Sequence, residues 1–379
     1  MFDYFLTEEQ RLLQQTARRF AENEVAPQAE EADEKAEFNR ELFRKIAEMG
    51  FMGINIPEEY DGGGQGSLST ALVIMELAKA CGSTGMGVAA HFLGLDAILH
   101  YGTSEQKTHY LPPLARGEWL CAFALTEPAA GTDAAAVQTT AQKRGDKYII
   151  NGNKIFISNG GEAEVNVVFV KTDPSKGSRG MSALIVEKGT PGFTFGKKED
   201  KMGMRGSVNR ELIFEDCEVP IAHLIGEEGQ GFKIAMDAIN TGRIVTAAYT
   251  IGVGEAALEA ATKYAKERIQ FGKPIGEFQG IQFMLADMKV AVEAAKLFIY
   301  QAAYKADNGL PFATEASMAK LVSSDAAMKV TIDAVQIHGG YGYMKDYPVE
   351  RYMRDAKITQ ILEGTNQIQR VIIARSLLK

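Results

Sequence analysis

The 379-residue chain is longer than one ordinary hydrophobic core and suits two or three domains. Its 46% hydrophobic and 24% charged content is that of a globular protein, and a net charge of -8 with pI near 5.4 excludes the basic face that a nucleic acid or an anionic membrane demands. Three widely spaced cysteines, five scattered histidines and the lack of any C-x-x-C or H-E-x-x-H exclude a disulfide frame and a zinc site.

The first ten residues are acidic, unlike a signal or transit peptide, and no apolar run approaches the ~20 residues of a membrane span. A cytoplasmic protein is therefore expected. Thr7-x-x-Gln10 predicts a capping box, followed by Leu12, Leu13, Ala17, Phe20 and Ala21 at helical spacing, with Pro27 closing the helix. A second helix is predicted over 40–49, stopped by Gly50. The glycine run 62–66 follows no strand and lacks the Lys and Ser/Thr of a P-loop, so it reads as a connector. Residues 68–80 and 87–101 read as apolar helices lining a core.

After Trp119 the pattern becomes β. Residues 147–157 are predicted as a hairpin with Asn151-Gly152 as its type I′ turn, and 165–171, 181–187, 193–195 and 211–214 as further strands. From Gly231 the pattern is helical again. Residues 232–268 form a long helix or helix pair, where Gly242, Gly252 and Gly254 indicate close packing or a bend. Residues 281–306, 315–338 and 367–378 complete a bundle, the last placing Ile368, Val371, Ile372 and Leu378 on one face. The expected fold is α+β: an N-terminal helical domain (1–121), a middle antiparallel β-barrel or sandwich (122–231) and a C-terminal four-helix bundle (232–379).

No Rossmann fingerprint exists, because Gly226-x-x-Gly229-x-Gly231 and Gly340-Tyr341-Gly342 have the wrong spacing and context. No G-x-S-x-G elbow exists either. The loop 125–133 carries hydroxyls at Thr126 and Thr132 and amides near Gly131. It suits a phosphate or a heteroaromatic edge, or a plain surface turn capped by Asp133. Phe156-Ile-Ser-Asn-Gly160 sets an aromatic beside a hydroxyl, as a ring wall or as a simple strand end. Arg268-Ile-Gln-Phe-Gly-Lys-Pro274 places an arginine and Phe271 after a helix, as a pyrophosphate clamp or as a charged helix end. Gln336–Tyr343 lets two backbones approach closely, with His338 as a buried or capping residue. The 346–355 stretch reads as an ion-paired corner. In the 360–370 stretch a single carboxylate, Glu363, precedes Gly364 and the helix-starting Thr365-Asn366. An ordered turn of this kind would hold a general base still, and it equally suits an exposed turn.

Together Ala124-Leu-Thr-Glu-Pro-Ala-Ala-Gly-Thr-Asp133, Arg268-x-x-Phe-Gly-x-Pro274, Gln336-Ile-His-Gly-Gly-Tyr-Gly342 and Leu362-Glu-Gly-Thr365 resemble the acyl-CoA dehydrogenase family, in its short-chain, butyryl-CoA-type branch, across essentially the whole chain. The resemblance implies a homotetramer, a dimer of dimers, with FAD between the β and C-terminal domains. It implies that Phe123, Leu125, Thr126, Gly131, Thr132, Phe156, Ile157 and Ser158 contact the flavin or the adjoining cofactor. Arg268, Phe271, Gln336, Gly339 and Gly340 would bind the dinucleotide tail, some from a neighbouring subunit, and Thr365 and Gln367 would also touch FAD. Thr132, Asn240, Arg243, Glu363 and Gly364 are implied on the substrate side, with Arg243 meeting the CoA portion. Glu363 would remove the α proton of an acyl-CoA thioester while hydride leaves the β carbon for flavin N5. Electrons would pass to an electron-transferring flavoprotein.

Three departures from the family pattern bear on the pocket. Leu362 replaces the usual Tyr before the base, Phe156 stands where many relatives have Trp, and Gly242 occupies the alternative base position, which leaves Glu363 as the base. Bulky Phe92, Leu93 and Leu95 on the 87–96 helix favour a short, branched or cyclic acyl group. The lack of an arginine there counts against a glutaryl substrate. His91 reads as packed and Asp96 as solvated. The rival readings are an acyl-CoA oxidase, usually a longer chain, and a non-catalytic flavin- or acyl-CoA-binding subunit.

Overall fold

In the computed structural model, which describes residues 5–378, Thr7 accepts from the Gln10 amide and the Gln10 side chain accepts from the Thr7 amide. Met1–Tyr4 of the acidic leading stretch lie outside the described residues. The capping box starts α1 (Glu8–Phe20) as expected. Pro27 does not end the helical run. The coil widens into a π turn (Ala21–Val25), and Pro27 sits at the start of a 3-10 turn (Ala26–Gln28) leading into α2 (Ala29–Lys35). Its missing N–H costs little at the start of a new turn.

Asn39 caps α3 (Arg40–Glu48), and Gly50 ends it with φ of 76°. Helices α4 (Ser67–Ala80) and α5 (Gly82–Tyr101) are buried on nearly every side, and α5 begins ahead of the predicted 87. A second capping box, Thr103 with Gln106, opens α6 (Ser104–Ala115), which the apolar spacing did not single out.

The middle region is one eight-stranded sheet. Its strands are β1 (Cys121–Ala124), β2 (Thr140–Arg144), β3 (Lys147–Ser158), β4 (Val165–Lys171), β5 (Met181–Glu187), β6 (Phe193–Lys198), β7 (Asn209–Pro220) and β8 (Leu224–Ile225). The order is β6-β7-β3-β2-β4-β5-β8, with β1 beside β4. It is an open, sandwich-like layer rather than a closed barrel. It is also not wholly antiparallel, since β1 and β2 both run parallel to β4.

The predicted turn at Asn151-Gly152 is absent. β3 runs straight through these residues, pairing with β2 on one side and β7 on the other. Gly152 has φ of 137°, outside the type I′ range, and a Cβ there would lie 2.7 Å from the Thr139 hydroxyl. The register with β7 slips at this point, and the Asn151 side chain exchanges hydrogen bonds of 3.0 and 2.8 Å with Asp216. Asn-Gly here marks a bulge with close backbone approach.

One continuous 37-residue helix, α7 (Gly231–Glu267), answers the glycine question: the glycines serve packing, since a Cβ at Gly252 would meet the Met75 carbonyl at 2.4 Å. A two-residue hairpin joins β9 (Ile269–Gln270) to β10 (Lys273–Pro274). Its central residues Phe271 and Gly272 both have positive φ, as a type I′ turn requires. Then come α8 (Gln279–Asp307), α9 (Ala313–His338), α10 (Val349–Lys357) and α11 (Asn366–Leu377). The 346–355 stretch runs into α10, and its ion pairs reach across domains. Arg354 pairs with Asp33 at 2.6 Å and Glu350 at 2.7 Å, while Arg205 donates to the Asp33 carbonyl. Contrary to the apolar spacing, α11 buries Asn366 and Gln369 and leaves Val371 exposed, as is Leu378 just past its end. His338 is buried as expected, stacked on Tyr264 at 4.2 Å.

Within α5, His91 is packed, accepting from the Cys121 amide at 3.1 Å, and burial pushes its pKa down to about 3. Asp96 is not solvated. It is buried, accepts from Asn55 at 3.1 Å, and burial pushes its pKa up to about 7. An acid whose folded pKa is raised contributes most stability below its unfolded pKa and loses it as pH rises through the folded value. Asp96→Asn is therefore expected to raise the melting temperature at pH 8, by on the order of a few kcal/mol in stability, and to change it little near pH 4. Thermal melts at the two pH values check this, and equal effects at both would refute it.

Candidate active site

Glu363 and Gly364 have φ of 52° and 87°, so the chain makes a left-handed turn between the 3-10 segment Ile358–Gln360 and α11. A non-glycine residue in this region costs roughly 1–3 kcal/mol and persists only where its surroundings impose it. The surroundings are three buried polar side chains. Gln369 donates to the Glu363 carbonyl at 3.2 Å and to the Gly364 carbonyl at 2.8 Å. Lys320 donates to the Gly364 carbonyl at 2.9 Å and to Asn366 Oδ1 at 2.8 Å. Asn366 in turn bonds Ser324 and Asp325. Thr365 caps α11 through the Ile368 amide.

The turn aims the Glu363 side chain at α7. Its Oε2 is buried and has no hydrogen-bond partner. A Cβ on Gly242 would lie 3.0 Å from that oxygen and 2.8 Å from Leu93 Cδ1, so the glycine makes room for the carboxylate. Burial raises the Glu363 pKa, while the Thr246 hydroxyl, Lys320 and Arg243 pull it the other way. Arg243, one residue on, is itself buried. It donates to Asn240 at 2.8 Å, and its Nη2 would lie 3.7 Å from a Cβ on Gly364. Thus Asn240, Gly242, Arg243, Glu363, Gly364 and Leu93 come together, whereas Phe92 and Leu95 point into the core.

A second group lies on the β sheet. The Ile155 amide donates to the Thr126 carbonyl at 2.9 Å, which joins the 125–133 loop to the end of β3. Phe156 is 61% exposed with φ of 59°, another left-handed non-glycine residue. Asn209 donates to the Phe156 carbonyl at 2.9 Å and to the Ser158 hydroxyl at 3.0 Å. The ledge offers an open aromatic face with hydroxyls along its edge, which fits a planar heteroaromatic ring. Leu125 and Ile157 are buried. Gly131 and Thr132 are exposed, and Phe123 packs on Phe169 at 4.7 Å.

Composition alone did not reveal what fixes the ledge. Buried Lys154 pairs with buried Glu127 at 2.7 Å and donates to the Leu125 carbonyl at 3.1 Å, while Glu127 accepts from the Thr139 amide at 3.0 Å. The available signals were a lysine amid strand residues and, for Lys320, a lysine on a face of Ala and Ser.

The third group is remote. The Arg268 guanidinium lies 5.3 Å from the Tyr341 ring, beside exposed Gln336, Gly339 and Gly340, and Phe271 is 94% exposed. From Gly242 to the end of α7 is roughly 37 Å of helix. One chain therefore does not bring this group to its own Glu363. Gln367 is exposed on the first turn of α11.

Models of the acyl-CoA dehydrogenase N-terminal, middle and C-terminal domains match residues 7–118, 122–217 and 229–378. Acryloyl-CoA reductase (NADH) of Anaerotignum propionicum is 53% identical over all of this chain and 96% of its own. The solved butyryl-CoA dehydrogenase of Megasphaera elsdenii superposes with a TM-score of 0.97 at 48% identity, covering 99% of each chain. A chain in a structure described as the electron transferring flavoprotein of Acidaminococcus fermentans superposes with a TM-score of 0.98 at 54% identity, again over 99% of each. All three domain models in order, with full-length relatives sharing half their residues, make this chain a member of the acyl-CoA dehydrogenase family.

Proposed function

We propose that this acyl-CoA dehydrogenase oxidises a short, branched or cyclic acyl-CoA to its 2-enoyl-CoA, with Glu363 as the base that removes the α proton. The observation that carries this reading is the buried, unpartnered Oε2 of Glu363, free to accept a proton and held over the gap left by Gly242. The family binds FAD; when bound, it supplies the acceptor for the hydride leaving the β carbon. The chain's own residues do the rest. The Glu363 amide donates to no group among the described residues, so it is available to a thioester carbonyl whose oxygen gains charge as the α proton leaves. The dry setting raises the carboxylate's basicity toward that of the acid it must deprotonate.

The ring would rest on the Phe156–Ser158 and Leu125–Thr126 ledge. Leu93 would close the acyl end above Gly242, consistent with the short acyl groups in the names of the two relatives. An electron-transferring flavoprotein would take the electrons, a reading supported by the Acidaminococcus structure.

The assembly would be a homotetramer. Along α8, Phe283, Val290, Leu297 and Tyr304 recur every seven residues and are all exposed, the pattern of a helix face that packs against another helix. The remoteness of Arg268 and Phe271 from Glu363 supports the same reading: they would complete a neighbouring copy's cofactor site.

Anaerobic mixing of the holoenzyme with butyryl-, isobutyryl-, cyclohexanoyl- and octanoyl-CoA tests the reaction. The flavin absorbance is expected to bleach with one or more of the first three, and bleaching by none of the four would sink the proposal. Glu363→Gln should keep its FAD and fold but lose about 10³-fold in turnover, the scale of general-base catalysis. Because the base must be ionised and its pKa is raised, kcat/KM should fall with decreasing pH at a higher pH than an exposed glutamate would dictate. Val290→Lys should yield assemblies smaller than four chains by light scattering, and an unaltered tetramer would remove α8 from the interface.

A further inference from the structure

Lys320 is 0% exposed and forms no ion pair among the described residues. Its ammonium contacts only neutral oxygens: the Gly364 carbonyl at 2.9 Å and Asn366 Oδ1 at 2.8 Å. An unpaired buried cation is costly, and a lysine whose sole task was to hold a carbonyl would be an expensive choice. Two carboxylates act on its charge, Glu363 first and Asp325 after it. Lys320, on α9, is bonded to the carbonyl of the residue after Glu363, and buried Arg243, on α7, has its Nη2 3.7 Å from the Cβ position of the same Gly364, so both positive charges act on the Glu363 carboxylate.

The other groups around that carboxylate add no charge. From α7 come the Thr246 hydroxyl and Tyr249, whose pKa burial raises well above 10, so it stays neutral. From α5 comes Leu93, an alkyl group. Asp325 is engaged elsewhere: Asn366 donates to it at 2.7 Å and Arg370 at 3.0 Å. Burial lowers the Lys320 pKa to about 8, so the side chain is still a cation at neutral pH.

We propose that Lys320 is a positioning residue for the reaction assigned above: it holds the Glu363–Gly364 turn through the Gly364 carbonyl and, by its charge, stabilises the carboxylate form of Glu363. The inference rests on Glu363 being the base. It gives the lysine two separable tasks. Gln369 shares the first, since it also donates to the Gly364 carbonyl at 2.8 Å, but it cannot share the second because it is neutral.

The test is the pH profile of kcat/KM for holoenzyme with butyryl-CoA, alongside FAD content and melting temperature. Lys320→Gln and Lys320→Met should each move the acid limb up by roughly one pH unit, the scale of a nearby opposite charge. Lys320→Arg should leave the limb where it is in the unaltered enzyme. Gln369→Met should lower kcat/KM at every pH with the limb unmoved. If both neutral Lys320 variants lose activity uniformly with the limb in place, or if neither folds while Gln369→Met does, Lys320 is a structural clamp and the proposal is overturned. Glu363→Gln separates the two failures. If that variant remains active, the base assignment itself falls; if it is inactive and the limb is unmoved in the Lys320 variants, only the present inference falls.

Discussion

Holding an ionisable carboxylate still in a dry interior is the constraint on which the rest of this structure depends. Desolvation favours the neutral acid, and a flexible side chain would turn its oxygens toward any available donor. Glu363 is kept from both outcomes by its backbone. The left-handed Glu363–Gly364 pair points the side chain at α7, where Gly242 offers no side chain at all. The turn survives its strain because Gln369 and Lys320 satisfy its carbonyls, with Asn366 accepting from Lys320 and holding it in place. This also explains why α11 buries amides and leaves aliphatic residues outside: its inner face is a hydrogen-bonding platform for the turn, and its stability comes from those bonds more than from apolar area.

The same device recurs at each prospective contact. Phe156 and Phe271 are exposed aromatic residues held at positive φ, and each has a polar or glycine frame around it. Asn209 clamps the first through its carbonyl, and the type I′ turn with Gly272 fixes the second. Strain of this kind concentrates where a side chain must be presented rather than packed. The buried Glu127–Lys154 pair does for the ledge what Lys320 and Gln369 do for the Glu363 turn: it places polar groups in the interior to fix a loop.

These devices mark the limit of what sequence alone disclosed. The capping box at Thr7, the helices from α3 to α5 and the strands β4 and β5 follow from local spacing and propensity, so they were legible. Glu363 was legible as a candidate because glycine and a capping threonine follow it. Asn151-Gly152 misled because its conformation is set by Thr139 and Asp216, residues distant in sequence, and an Asn-Gly pair suits a bulge as well as a turn. Pro27 misled because a π turn can feed a proline into a fresh helical turn. For Lys320 the one local signal was a lysine on a face of Ala and Ser, and its role stayed hidden because its acceptor lies 44 residues along the chain.

The length of α7 links the Glu363 turn to the proposed assembly. A single unbroken helix carries Gly242 and Arg243 under Glu363 at one end and delivers Arg268 to the Tyr341 turn at the other. Its rigidity separates the two groups by most of the domain's width, so no closure within one chain unites them. The glycines that let α4 and Glu363 press against α7 therefore have a second consequence. By letting the helix pack closely along its length, they hold exposed Phe271 and half-buried Arg268 at its far end, where in the proposed assembly another copy of the chain would use them. In the proposed homotetramer the exposed stripe of α8 and the remote Arg268 and Phe271 would be two halves of one requirement, since the packing of one would bring the other to a neighbouring Glu363 site.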